Sequence, residues 1–305
     1  MKNILITGGA GFIGSRLTEQ LVERGYKVTI LDNLCSQVHG QSESSLYRRI
    51  NKISDFIKGD VRSSSDWKGA IKDQDIIVHL AAETGTAQSM YEIDRYNDIN
   101  IMGTSHLYNL LLNTKHSIKK IIVASSRAIY GEGKYNCITH GVQYPLRRKE
   151  SDMLQGNFNP ICKYCKSQLI PLATDEESLI HPSSIYGISK HQQESMCLLM
   201  GESLNIPTVA FRYQNVYGPG QSLSNPYTGI LSIFSTRILN SSMLYATDPP
   251  VPPMVNDGRI IIGKGISSII FCASFEVFAK PPLAVSIPIL SISFLNISLF
   301  SALRI

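Results

Sequence analysis

Apolar residues recur along the chain in two registers. Short β-branched runs at residues 4–7, 27–31, 55–58, 76–80, 121–124 and 208–211 read as strands. Between them, residues 12–24, 94–114 and 185–204 carry apolar positions at the three-to-four spacing of amphipathic helices. Strand and helix in alternation predict an α/β fold, a parallel, doubly wound sheet with helices on both faces, because parallel neighbours need a crossover. The pattern breaks twice. Residues 131–182 form a long polar stretch with cysteines and prolines, expected as a surface excursion above the strand ends. Near Asn240 the composition changes: the last 65 residues hold seven of the 14 prolines and only seven of the 53 charged residues. The expected organisation is a sheet domain over 1–240, interrupted by the insertion, followed by an incomplete or aberrant C-terminal portion over 241–305 that is poorly ordered or weakly docked.

Length and charge narrow the picture further. A chain of 305 residues can bury a core without disulfides. Its net charge of +5, from 29 basic and 24 acidic residues scattered along the chain, argues against a nucleic-acid binder that works by neutralising phosphates. Met1-Lys2-Asn3 leads directly into Ile4-Leu5-Ile6, without the apolar run and cleavage site of a secretory signal, so a cytoplasmic setting is expected. Residues 281–303 lack any charge over 23 positions, long enough for a bilayer, but three prolines and five serines weigh against a span, and no membrane partner is expected. Six cysteines are too few for a disulfide scaffold.

Gly8-Gly9-Ala10-Gly11-Phe12-Ile13-Gly14 follows the first strand and opens the first helix. Gly8 permits the tight turn, Gly11 lets the backbone approach a pyrophosphate, and Gly14 lets helix pack on strand, while the helix start, with Phe12 and Ile13, offers N–H donors. Asp32, 18 residues beyond Gly14 and beside Asn33, stands where a ribose-binding carboxylate belongs. A carboxylate there repels a 2′-phosphate and favours NAD over NADP. Asp60 and Val61 after the third strand, and Leu80, Ala81 and Ala82 after the fourth, are placed to frame the adenine and the middle of the dinucleotide. Tyr186 and Lys190 lie four apart, on one helical face. A phenol near a cation becomes a usable proton acceptor. Ser126, expected just past the fifth strand, can hydrogen-bond a sugar hydroxyl and pass its proton toward Tyr186.

Cys137-x2-His140 and Cys162-x2-Cys165, separated by 21 residues, offer four soft ligands in two close pairs. Two readings stand: a structural zinc site, or reduced cysteines packed in a loop.

With the ordered motifs His79-Leu80-Ala81-Ala82, Asn100 before Gly103-Thr104, Ser126 before Tyr130-Gly131, Tyr186 to Lys190 and Arg212-Tyr213-Gln214-Asn215-Val216-Tyr217-Gly218, the chain resembles the extended short-chain dehydrogenase/reductase family, the NAD-dependent nucleotide-sugar epimerases and dehydratases. Over roughly residues 1–240 the resemblance implies a Rossmann domain, with Tyr186 as base, Lys190 binding the nicotinamide ribose and tuning Tyr186, and Ser126 as hydroxyl partner. It also implies Asn100 supporting the site, Tyr213 on the cofactor side, Asn215 near the diphosphate of a dTDP- or UDP-sugar, and Glu83 and Thr84 near the sugar. Ala82 to Thr86, Ser125 to Gly133 and the cysteine insertion look most like the bacterial dTDP-L-rhamnose 4-epimerases. The family's 4,6-dehydratases carry an Asp-Glu pair directly after the Ser or Thr; Arg127 and Ala128 stand there instead, which implies 4-epimerisation. The resemblance further implies a homodimer built on the helices at 94–114 and 185–204. Past Asn240 the family's substrate-domain pattern is not found, which leaves a non-catalytic, NAD-binding remnant as the other expectation.

Overall fold

The computed structural model describes residues 2–40, 44–218, 220–221 and 290–291. Two compact units emerge. The first comprises residues 2–129 and 184–221, with the short strand 290–291; the second comprises Tyr130–Ser183. The expected change of order at Asn240 falls outside the described residues.

In chain order the first unit runs β1 (Asn3–Thr7), α1 (Phe12–Glu23), β2 (Lys27–Asp32), the short helices α2 (Ser36–His39) and α3 (Ser45–Ile50), β3 (Asp55–Lys58), α4 (Ser64–Ala70) and β4 (Ile76–His79). It continues through α5 (Ile93–Tyr96), a π-helical turn over Asn97–Met102, α6 (Gly103–Asn113) and β5 (Lys120–Ser126). The second unit holds β6 (Tyr135–Cys137), β7 (Gly141–Gln143), the short helix α7 (Glu150–Leu154) and β8 (Ile170–Pro171). The first unit then resumes with α8 (Ile185–Ser203), β9 (Thr208–Tyr213) and β10 (Val216–Tyr217), which pairs with β11 (Leu290–Ser291).

Six strands form one sheet in the order β3-β2-β1-β4-β5-β9, every pairing parallel, which is the Rossmann arrangement expected from the alternation. Alternate residues of each strand feed two cores. Ile4, Ile6, Ile30, Val78 and Ile122 pack with Leu17 and Leu21 of α1 on one face. Leu5, Leu31, Ile77, Ile121 and Val123 pack with Trp67, Leu107, Leu111 and Cys197 of α4, α6 and α8 on the other. A strand buried on both faces has to be apolar at every position, which is why these runs are continuous rather than alternating. Glu194 of α8 and Arg212 of β9 add a largely buried ion pair at 2.7 Å between neighbouring elements.

The structure extends two expectations. β5 reaches Ser126 because Ser125 and Ser126 pair with Arg212 and Tyr213 of β9, so both serines end the strand rather than follow it. The segment at 94–114 is interrupted by the π-helical turn, which the apolar spacing does not reveal. Among the described residues, no helix is long and apolar enough to cross a membrane.

Candidate active site

The order reversal between β1 and β4 opens a crevice at the carboxyl ends of the strands, the place where such sheets bind ligands. Gly8 turns at φ +67°, and its N–H donates to the Leu31 carbonyl at 2.9 Å. A Cβ on Gly14 would stand 2.5 Å from the Gly8 carbonyl oxygen and 2.6 Å from the Gly9 Cα, so only glycine lets α1 sit this close to the turn. α1 begins at an extended Gly11, with no side-chain cap and no acid in its first turn, whereas α3, α4 and α8 are capped by Ser44, Ser63 and Ser184. Phe12 and Ile13, half-buried, open that helix. Open N–H groups at a glycine-lined helix start suit a pyrophosphate.

At the end of β2, Asp32 is buried, and its carboxylate accepts from the N–H groups of Ala10 and Leu34, each at 2.9 Å. Burial raises its pKa, against those two donors and the nearby His39. Each oxygen keeps acceptor capacity beyond its backbone bond, which fits a ribose diol. Asn33 donates to Asp60 at 2.9 Å, tying the ends of β2 and β3. Burial opposes the ionised Asp60, but Arg62, through hydrogen bonds and charge, holds it down at about 2. Val61 is buried against Gly103, and Trp67 donates to the Val61 carbonyl at 2.8 Å. Leu80, Ala81 and Ala82 follow β4 half-buried, with Ala81 N–H donating to Thr7 Oγ1 at 3.2 Å. These groups fit a dinucleotide along the strand ends.

At the end of β5, the Ser126 hydroxyl lies beside the Tyr186 phenol. Burial raises the phenol's pKa, while Ser126 and the charge of Arg127 lower it. Tyr186 is further held by its own N–H, which donates to Ser89 Oγ at 3.0 Å, and by the ring of Tyr96, edge-on at 6.3 Å. Lys190 turns its ammonium to the Gln193 side-chain oxygen, and burial pushes it down to about 8. Asn100, fully buried in the π-helical turn, donates to Ser189 Oγ at 3.0 Å and exchanges two bonds with the Glu83 backbone, at 2.8 and 3.2 Å. It thereby fastens α8 to the segment after β4. Glu83 pairs with Arg95 at 2.8 Å. Thr84 and Asn215 are exposed. Tyr213 stacks on Phe211, and its hydroxyl, like that of Ser125, is buried without a partner among the described residues.

Sequence reasoning missed what lies behind Lys190. An ammonium only donates, so the Gln193 oxygen faces Lys190 and its NH2 faces Thr104 Oγ1 at 2.8 Å and His79 Nε2 at 3.1 Å. His79 therefore carries its proton on Nδ1 and donates to Thr7 Oγ1 at 2.7 Å. A directional chain of buried polar groups links α8 to the end of β1. The one sequence signal was Gln193 at i+3 from Lys190, and a lone glutamine on a helix carries little weight. Arg127 was noted only for not being an acid, yet it is the cation that bears on Tyr186.

In the second unit, Cys137, His140, Cys162 and Cys165 bring one ligand atom each to within 4.8 Å of one another.

The chain has relatives among known proteins. It is 33% identical over 261 residues to the dTDP-L-rhamnose 4-epimerase of Burkholderia thailandensis, covering 85% of this chain and 68% of that protein. Among solved structures it is similar to the UDP-glucose 4-epimerase of Thermotoga maritima with UDP-glucose, at TM-score 0.58 and 29% identity, covering 78% of this chain and 63% of that one. The UDP-glucose 4-epimerase of Thermus thermophilus in complex with NAD superposes at TM-score 0.57 and 25% identity, again over 78% of this chain and 63% of the other. The chain thus spans about two thirds of the length of the proteins it matches. The family model for NAD dependent epimerase/dehydratase matches residues 4–258, running past Asn240, where the resemblance was expected to end. A match over that much of the chain, on the sheet and crevice just described, places this protein in the NAD-dependent epimerase/dehydratase family.

Proposed function

We propose that this chain is an NAD-dependent nucleotide-sugar 4-epimerase. The observation that carries the reading is the placement of Ser126 beside the Tyr186 phenol at the carboxyl end of β5, with a glycine turn and an Asp32 that fit a dinucleotide. NAD, when bound, supplies a hydride acceptor that also gives the hydride back. Gly8, Gly11, Gly14 and Asp32 hold the dinucleotide, and Lys190, still protonated at neutral pH, serves its nicotinamide ribose. Tyr186 takes the O4 proton of the bound sugar as C4 is oxidised, and Ser126 bridges that hydroxyl to the phenol. After the 4-keto sugar turns over, Tyr186 returns the proton to O4 and the configuration at C4 is inverted, with no net redox change. Arg127 lowers the phenol's pKa by charge, which favours its role as base. No carboxylate stands directly after Ser126 to drive the elimination of water, which favours epimerisation over 4,6-dehydration.

Substrate class, assembly and setting belong to the same proposal. The substrate is a dTDP- or UDP-sugar, as the names of the relatives suggest, with dTDP-L-rhamnose the first to try. Two copies pair through the helices α6 and α8, whose Leu112, Ile188, Leu198 and Leu199 are exposed apolar residues. Cys35 and Cys197 are free thiols, in keeping with a reducing cytoplasm. The four Cys and His ligands of the second unit bind zinc, in a closed and therefore structural site.

The test is to incubate the full chain with NAD and a panel of dTDP- and UDP-sugars and look for C4 epimers. Conversion of one sugar is expected, abolished in Tyr186→Phe with NAD binding nearly intact. Tight NAD binding without turnover of any sugar overturns the reading and leaves the non-catalytic remnant.

A further inference from the structure

Resting on the zinc reading, we infer that the metal is what folds the second unit, through two loops of the same construction. In the first loop Cys137 ends β6, and His140 precedes Gly141, which turns at φ +67°. In the second, Cys162 follows the bridge residue Ile161, and Cys165 precedes Lys166, at φ +62°. Each loop therefore presents two ligands across two intervening residues and closes on a left-handed residue. Lysine has a Cβ that disfavours this conformation, a cost that the rest of the loop has to offset.

The sulfurs are dressed as metal ligands. Cys137 Sγ lies 3.7 Å from Ser167 Oγ. Ser167 Oγ lies 2.9 Å from Cys165 Sγ. The loop itself is closed by Lys166 N–H to the Cys162 carbonyl at 3.0 Å and Cys162 N–H to the Ser167 carbonyl at 2.8 Å. Such donors suit thiolates, the form that binds metal.

Three of the six ligand–ligand distances match a metal rather than a disulfide. Cys137 Sγ lies 3.6 Å from His140 Nδ1 and 3.6 Å from Cys165 Sγ, and Cys162 Sγ lies 3.6 Å from the same His140 nitrogen. Tetrahedral zinc with Zn–S near ~2.3 Å and Zn–N near ~2.0 Å has ligand–ligand edges of roughly 3.5–3.8 Å, whereas a disulfide closes at about 2.0 Å. The Tyr164 ring, 5.0 Å from the imidazole, helps to keep His140 turned inward.

Among the described residues, little apolar packing is left to the unit without the metal. Their buried apolar cluster is Cys137, Cys162 and Leu169, with Tyr135 packed against it, and two of those are ligands. Ile138 and Leu146 are 86% and 84% exposed, so they add nothing to a core. A unit whose core is largely its own ligand set folds when the metal binds.

The test uses the full chain purified without chelator. Metal analysis is expected to find about one zinc per chain. Stripping it with a chelator should open new sites of limited proteolysis within residues 130–183, and zinc alone should close them. His140→Cys, which keeps four ligands, should retain the metal and the protection, while His140→Ala loses both. Protein that neither contains nor takes up zinc, or that carries a disulfide among these cysteines, overturns the zinc reading and the inference with it. Stoichiometric zinc whose removal leaves residues 130–183 as resistant as before overturns the folding inference alone.

Discussion

Asp32 shows how a residue that braces the fold can also stand at a proposed ligand site. Its two oxygens satisfy the N–H groups of Ala10 and Leu34, so it braces the glycine turn while facing the crevice where a ribose would lie. Removing it should cost NAD about 1.5–3 kcal/mol, the range for hydrogen bonds to a charged group, and leave NADP, which the carboxylate repels, far less affected. Asp32→Ala is therefore expected to weaken NAD binding at least about tenfold and to narrow the preference over NADP, read by titrating both cofactors. Equal affinity of the unaltered protein for both would remove the ribose assignment.

Elements turn single residues into a site. α1 lies against the turn only because Gly14 has no side chain, and all three atoms that a Cβ would strike belong to the backbone. Gly14→Ala should push α1 away from β1, lowering stability by about 1–3 kcal/mol and abolishing NAD binding. Gly69 in α4 is the control, since a Cβ there meets nothing within 4 Å. Gly69→Ala is expected to stabilise by roughly 0.5–1 kcal/mol and to leave NAD binding alone, both read by thermal melts with and without NAD. The π-helical turn works in a similar way, aiming the Asn100 amide at Glu83 and Ser189 at once.

At the scale of the molecule, the buried chain from Lys190 to Thr7 couples stability to pH. Burial pushes His79 down to about 3 from an ordinary 6.5, so between those values the unfolded chain holds a proton that the folded chain lacks. Stability is then fully present above pH 6.5 and falls as pH drops toward 3, with a slope of at most about 1.4 kcal/mol per pH unit from this group. His79→Gln should flatten that dependence between about pH 6.5 and 4.5, measured by denaturant unfolding, at some cost in stability at neutral pH. A slope unchanged by the substitution would mean that other groups carry it. The exposed apolar residues of α6 and α8 make a separate claim: Leu199→Glu is expected to shift the protein from dimer to monomer in sedimentation, since an uncompensated charge is costly in a buried interface.

Local information reached far into this protein. Continuous β-branched runs separated by helical periods already implied a parallel sheet, because strands covered on both faces must be apolar throughout. Gly8, Gly11, Gly14 and Asp32 were legible because strand, turn, helix and acid obey short-range geometry that spacing alone conveys. Cys137, His140, Cys162 and Cys165 could be paired off by spacing, but only folding shows whether the two pairs meet, and in the second unit they do. The same holds for Gln193, His79, Thr104 and Thr7, whose bonded pairs lie up to 114 residues apart and become one chain of hydrogen bonds when α8 and α6 pack on the sheet. Residues within one element declare their neighbours by periodicity, whereas residues on different elements become neighbours through packing, and no local pattern encodes which distant side chains that packing brings into contact.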